Sequence, residues 1–258
     1  MDASRLPPTD TVTRSYELYY DSGCYDRRYP GPNRATQRLV MDHLPPSGHV
    51  IDYGCGSGRY LLALRDRVGT AAGYDISPAA ISLLRRKAAA FGWDDLAILG
   101  PDPADLDRHM AEFGPADVIL CLFGVLGHIE EAAARQRALM QMRVLLRPGS
   151  GRLIVSVPNR LRRFRREQAR AGIAARGLIH YRRVLGGTSV ILPYQLYDPA
   201  GLADELGRAG FTLCEMRPES VLPESWLLHH PVLRGVERFL TPVCPARLGY
   251  GILAVAAP

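Results

Sequence analysis

Three glycines at alternate positions, Gly54, Gly56 and Gly58, stand in "VIDYGCGSGRYLLAL" between an apolar run and an amphipathic one. Glycine turns of this kind reach left-handed backbone conformations and approach a ligand with no Cβ in the way. The spacing is not the G-x-G-x-x-G of a dinucleotide turn, which argues against a nicotinamide-dependent dehydrogenase. Asp52 precedes the first glycine by two residues. A pyrophosphate at a helix N-terminus wants bare N–H groups and no added anion. A carboxylate here suits a ligand that carries a positive ammonium or sulfonium group. Asp75, in "GYDIS", follows the turn by about 20 residues, the spacing of a carboxylate that accepts both ribose hydroxyls. Ile76 is then placed to lie on one face of an adenine.

Such a constellation needs strands that end at one edge and helices that begin there. "HVIDYG" reads as a short buried strand, and "SGRYLLALRDRV" has helical apolar spacing at Leu61, Leu62, Leu64 and Val68. "TAAGYDIS" is a second strand, and Ser77 caps a helix with Pro78 at its first position and Gly92 at its end. "LAILG", the uniformly apolar "ADVILCLF" and "GRLIVSVPN" are further strands, and "EEAAARQRALMQMRVLL" is a helix. Strands and helices alternate, which predicts an α/β fold with a doubly wound, mostly parallel sheet. A helix from about Asn33 to His43 precedes the first strand, with Asn33 as its N-cap. After Pro158 the pattern changes. "NRLRRFRREQARAGIAARGLIHYRR" holds nine arginines and one glutamate and reads as a basic, helical insertion. An extended piece and a helix from near Pro199 follow, then strands in "TLCEMRP" and "YGILAVA". "PESWLLHHPVLRGVERFLTP" reads as a helix packed on the sheet.

The expected organisation is an N-terminal lid or cap over residues 1–34 and a catalytic domain over 35–258, with a basic cap insertion at about 159–193. Tyr16, Tyr19, Tyr20, Tyr25 and Tyr29 crowd the N-terminal segment, which suits closure over a ligand, Tyr20 included. The net charge is +6 and nearly all of the basic residues are arginine; Lys87 is the only lysine, in a helix-surface context. The five cysteines show no C-x-x-C pair and no zinc spacing, so reduced thiols, no metal and a cytoplasmic location are expected. No run approaches the roughly 18 apolar residues that span a membrane. The opening "MDASRLPPTD" lacks the pattern of a secretory signal.

"VIDYGCGSGRY", "GYDIS", "ADVILCLFGVLGHI" and "LLRPGSGRLIVSVPN", in that order, resemble the class I S-adenosylmethionine-dependent methyltransferases. The resemblance is strong from about Ala35 to Asn159 and looser toward the C-terminus. It implies a Rossmann-like, seven-stranded sheet whose last strand is antiparallel, and S-adenosyl-L-methionine as cofactor with S-adenosyl-L-homocysteine as product. It implies that Gly54, Gly56 and Gly58 line the methionine moiety, that Asp52 fixes the turn or the amino group, and that Asp75 binds the ribose. The acid that reaches the adenine amine has two candidates, Asp102 and Asp105, of which Asp102 is favoured. Cys121, Leu122 and Phe123 would form the floor beside the transferred methyl.

Methyl transfer from a sulfonium is an in-line displacement, so a base is needed only for a protonated acceptor. His128, after the fourth strand, is the first candidate base; His180 and Tyr181 of the insertion are further ones. The favoured acceptor is a small molecule, methylated at oxygen or nitrogen. An RNA acceptor held by the arginine-rich insertion is an alternative, and "DYGCGSGRYL" is locally similar to tRNA wobble-modifying enzymes. No RNA-binding module or N-P-P-Y-like signature accompanies it. A cofactor-binding subunit without turnover is the remaining alternative. The sequence is silent on oligomeric state.

Overall fold

The computed structural model describes residues 8–185, 188–223, 226–227 and 230–258. Its elements run α1 (Pro8–Asp21), α2 (Cys24–Arg28), α3 (Arg34–His43), β1 (Gly48–Tyr53), β2 (Val68–Tyr74), α4 (Pro78–Ala90), β3 (Ala97–Leu99), α5 (Ala104–Phe113), β4 (Val118–Cys121), α6 (Ala132–Leu145) and β5 (Arg152–Pro158). Then come α7 (Arg165–Ala171), β6 (Leu178–Leu185), β7 (Thr188–Gln195), α8 (Pro199–Arg208), β8 (Thr212–Ser220), α9 (Pro231–Leu240) and β9 (Gly251–Ala257).

β1 pairs in parallel with β2 on one side and β4 on the other, so the chain winds outward in two directions from β1. The seven-stranded sheet has the order β3-β2-β1-β4-β5-β9-β8. β9 runs antiparallel to both β5 and β8. This is the expected mostly parallel sheet with an antiparallel last strand. Successive residues of a strand point to opposite faces, and both faces here are covered. Val50, Val118 and Leu120 enter the core with Leu61, Leu64 and Leu84. Ile51, Ile119 and Cys121 enter the opposite core with Leu139, Met142 and Leu145. The reversal of strand order between β1 and β4 opens a crevice at their carboxyl ends, where open α/β sheets bind ligands.

Local chemistry sets the helix starts as expected. Asn33 Oδ1 accepts from the Ala35 and Thr36 amides at 2.9 and 3.3 Å, and Ser77 Oγ accepts from the Ala80 amide at 3.3 Å. The segment after the glycine turn is a 3-10 helix, Leu61–Arg67, instead of the predicted α-helix. With its rise of about 2.0 Å per residue, a 3-10 segment spans the sheet in fewer residues before β2 begins.

The insertion departs further from the predicted helix. Only α7 and the 3-10 turn Ile173–Ala175 are helical. Gly172 and Gly177, at φ of 75° and 94°, end them in conformations open to glycine. "LIHYRRVL" then forms β6, which pairs antiparallel with β7 as a separate two-stranded hairpin. Aromatic and β-branched residues at alternate positions suit this pleated ribbon better than a helix. β7 packs against α1 and against the turn Leu126–His128 that follows β4. The N-terminal helices and the hairpin thus stand together over the carboxyl edge of the sheet.

α9 does not bury its apolar residues on the sheet as predicted. Val232 and Phe239 are 78% and 77% exposed, and the inward contact is polar. The buried Glu237 carboxylate accepts from the Leu222 amide at 3.1 Å and from Thr241 Oγ1 at 2.9 Å. No helix among the described residues is long and apolar enough to cross a membrane.

Candidate active site

The glycine turn leaves β1 at the switch point. Gly54, Gly56 and Gly58 have φ of 83°, 55° and 83°, a region that side chains strongly disfavour. Their missing side chains also make room for protein. A Cβ at Gly54 would strike Val125, one at Gly56 the Tyr20 hydroxyl, and one at Gly58 Leu84 and Leu62. Gly58 therefore serves close packing, whereas Gly56 faces the N-terminal segment across the turn. The Gly54 and Cys55 amides donate to the Tyr74 carbonyl at 2.7 and 3.0 Å, which ties the turn to the end of β2.

Asp75 sits at that end. One carboxylate oxygen accepts from the Gly56 amide at 2.8 Å and the other from the Ser77 amide at 2.9 Å. Burial raises its pKa, and the amide hydrogen bonds oppose the rise. Asp52, in β1, is 3% exposed. Burial, and secondarily the Asp75 charge, push its carboxyl up to about 8. A buried acid and a half-buried one beside a glycine turn form a site that a cation would complete.

Ile76 is 38% exposed at the rim, an apolar surface open to a flat ring. Asp102 also lies outside: its side chain is exposed, and it accepts from the Ala104 amide at 3.0 Å and faces Arg108 at 3.8 Å. Asp105 instead accepts from the Gly100 amide at 2.9 Å, anchoring the loop after β3. The structure therefore ties both candidate acids to their own loop and helix. Cys121 and Leu122 have core side chains on opposite faces of the sheet, so only their backbone is offered to the crevice. Burial pushes the Cys121 thiol up to about 12. Phe123 does reach the site. It adopts φ of 61°, its amide donates to Ser156 Oγ at 2.7 Å, and its ring meets Tyr29 at 4.6 Å and Tyr25 at 6.1 Å. A non-glycine residue in this conformation is uncommon and marks a constrained turn.

The N-terminal segment is fastened here. Lys87, from α4, meets Asp26 Oδ2 at 2.8 Å and donates to Ser57 Oγ at 3.0 Å, and Ser57 donates to Asp26 Oδ1 at 2.7 Å. The only lysine of the chain is thus a link between α2, α4 and the glycine turn, not a solvated surface residue.

Beyond Phe123 and Gly124 lies a cavity of about 400 Å³, walled by the N-terminal tyrosines, the hairpin and the end of β5. His128 is in its wall. Its ring stacks on Tyr194 at 4.3 Å and meets the edge of Tyr16 at 5.4 Å. Burial, then the charge of Arg183, hold its pKa down at about 3, against a hydrogen bond to the Pro193 carbonyl. His128 Nδ1 is buried without a hydrogen-bond partner. Tyr181 lines the cavity too, whereas His180, its neighbour on β6, points outward and lies 3.3 Å from Glu130. Alternation along a strand separates these two candidates. Residues not singled out from the sequence complete the wall: Tyr194, Phe164, Arg163 and Arg183. The period-2 pattern of β6, with Tyr181 and Arg183 on one face, is the signal that would have found Arg183.

A sheet of this order, with a glycine turn at the switch point, a buried acid before it and a carboxylate ending β2, defines the class I S-adenosylmethionine-dependent methyltransferase fold. A family model described as a methyltransferase domain matches residues 25–215, and the chain belongs to that family. Among curated proteins it is similar to a dTDP-3-amino-3,6-dideoxy-alpha-D-glucopyranose N,N-dimethyltransferase of Streptomyces fradiae, at 26% identity over 131 residues. That match covers 50% of this chain and 46% of the relative, so the chain spans about half of the protein it matches. Among solved structures it is similar to the CcbJ methyltransferase of Streptomyces caelestis, with a TM-score of 0.61, 20% identity, and 88% and 90% of the two chains covered. It is also similar to a DhpI-SAM-HEP complex, with a TM-score of 0.63, 17% identity, and 97% and 98% covered.

Proposed function

We propose that this protein transfers the methyl group of S-adenosylmethionine to a nitrogen or oxygen of a small molecule held in the aromatic cavity. The cavity carries this reading. At about 400 Å³, and walled on the outer side by the N-terminal helices and the β6–β7 hairpin, it has the size of a metabolite site. The name of the Streptomyces fradiae relative, a sugar-nucleotide N,N-dimethyltransferase, supports the same acceptor class.

The residues present fit the cofactor. The buried Asp52 carboxyl is an acid in need of a cation, and the exposed Ile76 offers an apolar surface beside Asp75. When bound, the cofactor supplies a methyl already activated by positive sulfur, so the protein's part is alignment and exclusion of water. Asp52 would hold the positive end and Asp75 the ribose hydroxyls. Phe123, Tyr20 and Tyr25 would exclude water from the junction between crevice and cavity. His128, neutral at working pH, would accept a hydrogen bond from the acceptor through Nδ1 and orient its lone pair. A group held near a pKa of 3 is a poor proton store, so orientation is its stronger role.

The test uses cofactor with a labelled methyl, incubated with the protein and a bacterial extract that is then fractionated. Label in small metabolites is the expected result. Label in RNA would overturn the small-molecule reading and make the insertion's exposed arginines a phosphate-binding surface.

A further inference from the structure

Four arginines line the cavity, Arg28, Arg163, Arg182 and Arg183, and two of them, Arg163 from the loop after β5 and Arg183 from β6, are set among its aromatic rings. The Arg183 guanidinium lies 4.9 Å from the Tyr19 ring and 5.6 Å from those of Tyr16 and Tyr181. That of Arg163 lies 4.7 Å from Tyr250 and 5.1 Å from Phe164. Arg183 Nη2 donates to the Tyr181 hydroxyl at 2.8 Å, and the Arg163 guanidinium lies 5.9 Å from the Tyr194 ring. Yet Arg183 Nη1 and Arg163 Nε are buried with no hydrogen-bond partner among the described residues.

This is a costly arrangement unless something else completes it. A buried N–H left unsatisfied is destabilising, and more so when it is charged. Aromatic faces attract a cation but accept no strong hydrogen bond from it. Glu219 also lines the cavity and lies near Arg163. The titratable neighbours that act on Arg183 are tyrosines, which are neutral at working pH. The cavity thus holds more buried positive charge than its own carboxylate balances.

We propose that the methyl acceptor carries an oxyanion, a carboxylate or a phosphoryl group, that pairs with the guanidinium groups of Arg183 and Arg163 in the cavity wall. The proposal rests on the reading of this cavity as the acceptor site. The oxyanion is the anchor and not the methylated atom: a group paired with guanidinium has its lone pairs engaged and is a weak nucleophile. The nucleophile lies elsewhere on the acceptor, toward His128 and Gly124. The surrounding tyrosines would pack on the apolar body between the two ends.

The test measures binding, without turnover, of four probes to the full chain by calorimetry: benzoate, phenyl phosphate, and their neutral analogues benzamide and phenol. S-adenosylmethionine binding is measured separately in the same preparations. At least one anion should bind ten or more times tighter than its neutral analogue, and which anion does so separates carboxylate from phosphoryl recognition. Arg183→Gln and Arg163→Gln should each cut that ratio at least threefold while cofactor affinity is kept. Equal binding of charged and neutral probes by the wild-type protein, or no anion binding at millimolar concentration, overturns the proposal, and neither result depends on a variant that folds. If the anion preference stands but no cofactor binds, the failure belongs to the proposed methyl transfer.

Discussion

In the proposed function, Asp52 would tie the cofactor to proton chemistry. Its carboxyl is pushed up to about 8 by burial and by Asp75, so at neutral pH most of it is protonated while the site is empty. A cationic ligand favours the ionised form and lowers that pKa on binding. The sign follows: below about pH 8 the ligand must expel a proton, so affinity rises with pH toward 8 and levels off above it. S-adenosylmethionine should bind several-fold to about tenfold tighter at pH 8 than at pH 7. Calorimetry in two buffers of different ionisation enthalpy should detect the released proton. Asp52→Asn should remove both the slope and the release and weaken binding at pH 8. A flat affinity from pH 6 to 8 with no proton release would show that Asp52 does not meet the charge. The position of this residue before the glycine turn was legible in the sequence because it depends only on local order along the chain. Arg183 was not, since its role depends on a hairpin that brings it to Tyr16, Tyr19 and Tyr181 from far along the chain.

At the scale of elements, the chain announces what is local. The strands of the parallel sheet and the Asn33 and Ser77 caps follow from apolar runs and short-range hydrogen bonds, whereas the antiparallel direction of the closing strand was implied by the family resemblance. What it conceals is partnership. "LIHYRRVL" becomes a strand because "TSVILPYQ" lies opposite it, and its arginines obscure the alternation. α9 keeps Val232 and Phe239 outward because buried Glu237, not an apolar stripe, fixes its rotation. Lys87 was read on its own helix, where it looks solvated, yet its partners belong to α2 and the glycine turn. We infer that this link fastens the N-terminal segment as a lid. The pair is partly exposed, so its direct contribution is small, about 0.5–1 kcal/mol. Its position gives it leverage, because Asp26 also fixes Ser57 within the turn. Lys87→Met should therefore raise amide exchange across residues 12–28 and weaken cofactor binding a few-fold, with the melting temperature nearly unchanged. Unchanged exchange in α1 and α2 would mean that the tyrosine cluster alone holds the segment down. That cluster is extensive: Tyr25 meets Tyr19 at 5.6 Å, Tyr20 at 4.9 Å and Phe123 at 6.1 Å.

The molecule as a whole separates its chemistry from a second titrating device at the opposite pole of β1. There His49 Nε2 lies 2.9 Å from His109 Nε2, both rings buried, one from the start of β1 and one from α5. An N–H···N bond requires one ring to keep a bare nitrogen, so a doubly protonated pair loses the bond and adds repulsion. Burial, and then the charge of His49, depress His109 to about 4. The folded pKa is below the ordinary 6.5, so stability is full above pH 6.5 and is lost as pH falls toward 4, where both states are protonated. The shift corresponds to about 3 kcal/mol, enough to lower the melting temperature by several degrees. Asp117 and Asp105 act in a separate window: their carboxyls are held below the usual 3.8, so their contributions are lost only below that pH. Melting temperature against pH should therefore show one decline between 6.5 and 4 and a second one below it. Nitrogen shifts of His109 in the wild-type protein should stay those of a neutral ring down to about pH 5, and His109→Leu should shrink the first decline, to which buried His128 still contributes, and leave the second. A His109 that titrates near 6.5 would mean that its ring is open to water and that the pair does not couple β1 to α5. The cofactor's own pH dependence, centred on Asp52 at the other end of the same strand, should be unaltered by His109→Leu, because acid stability and methyl-donor binding depend on opposite ends of one sheet.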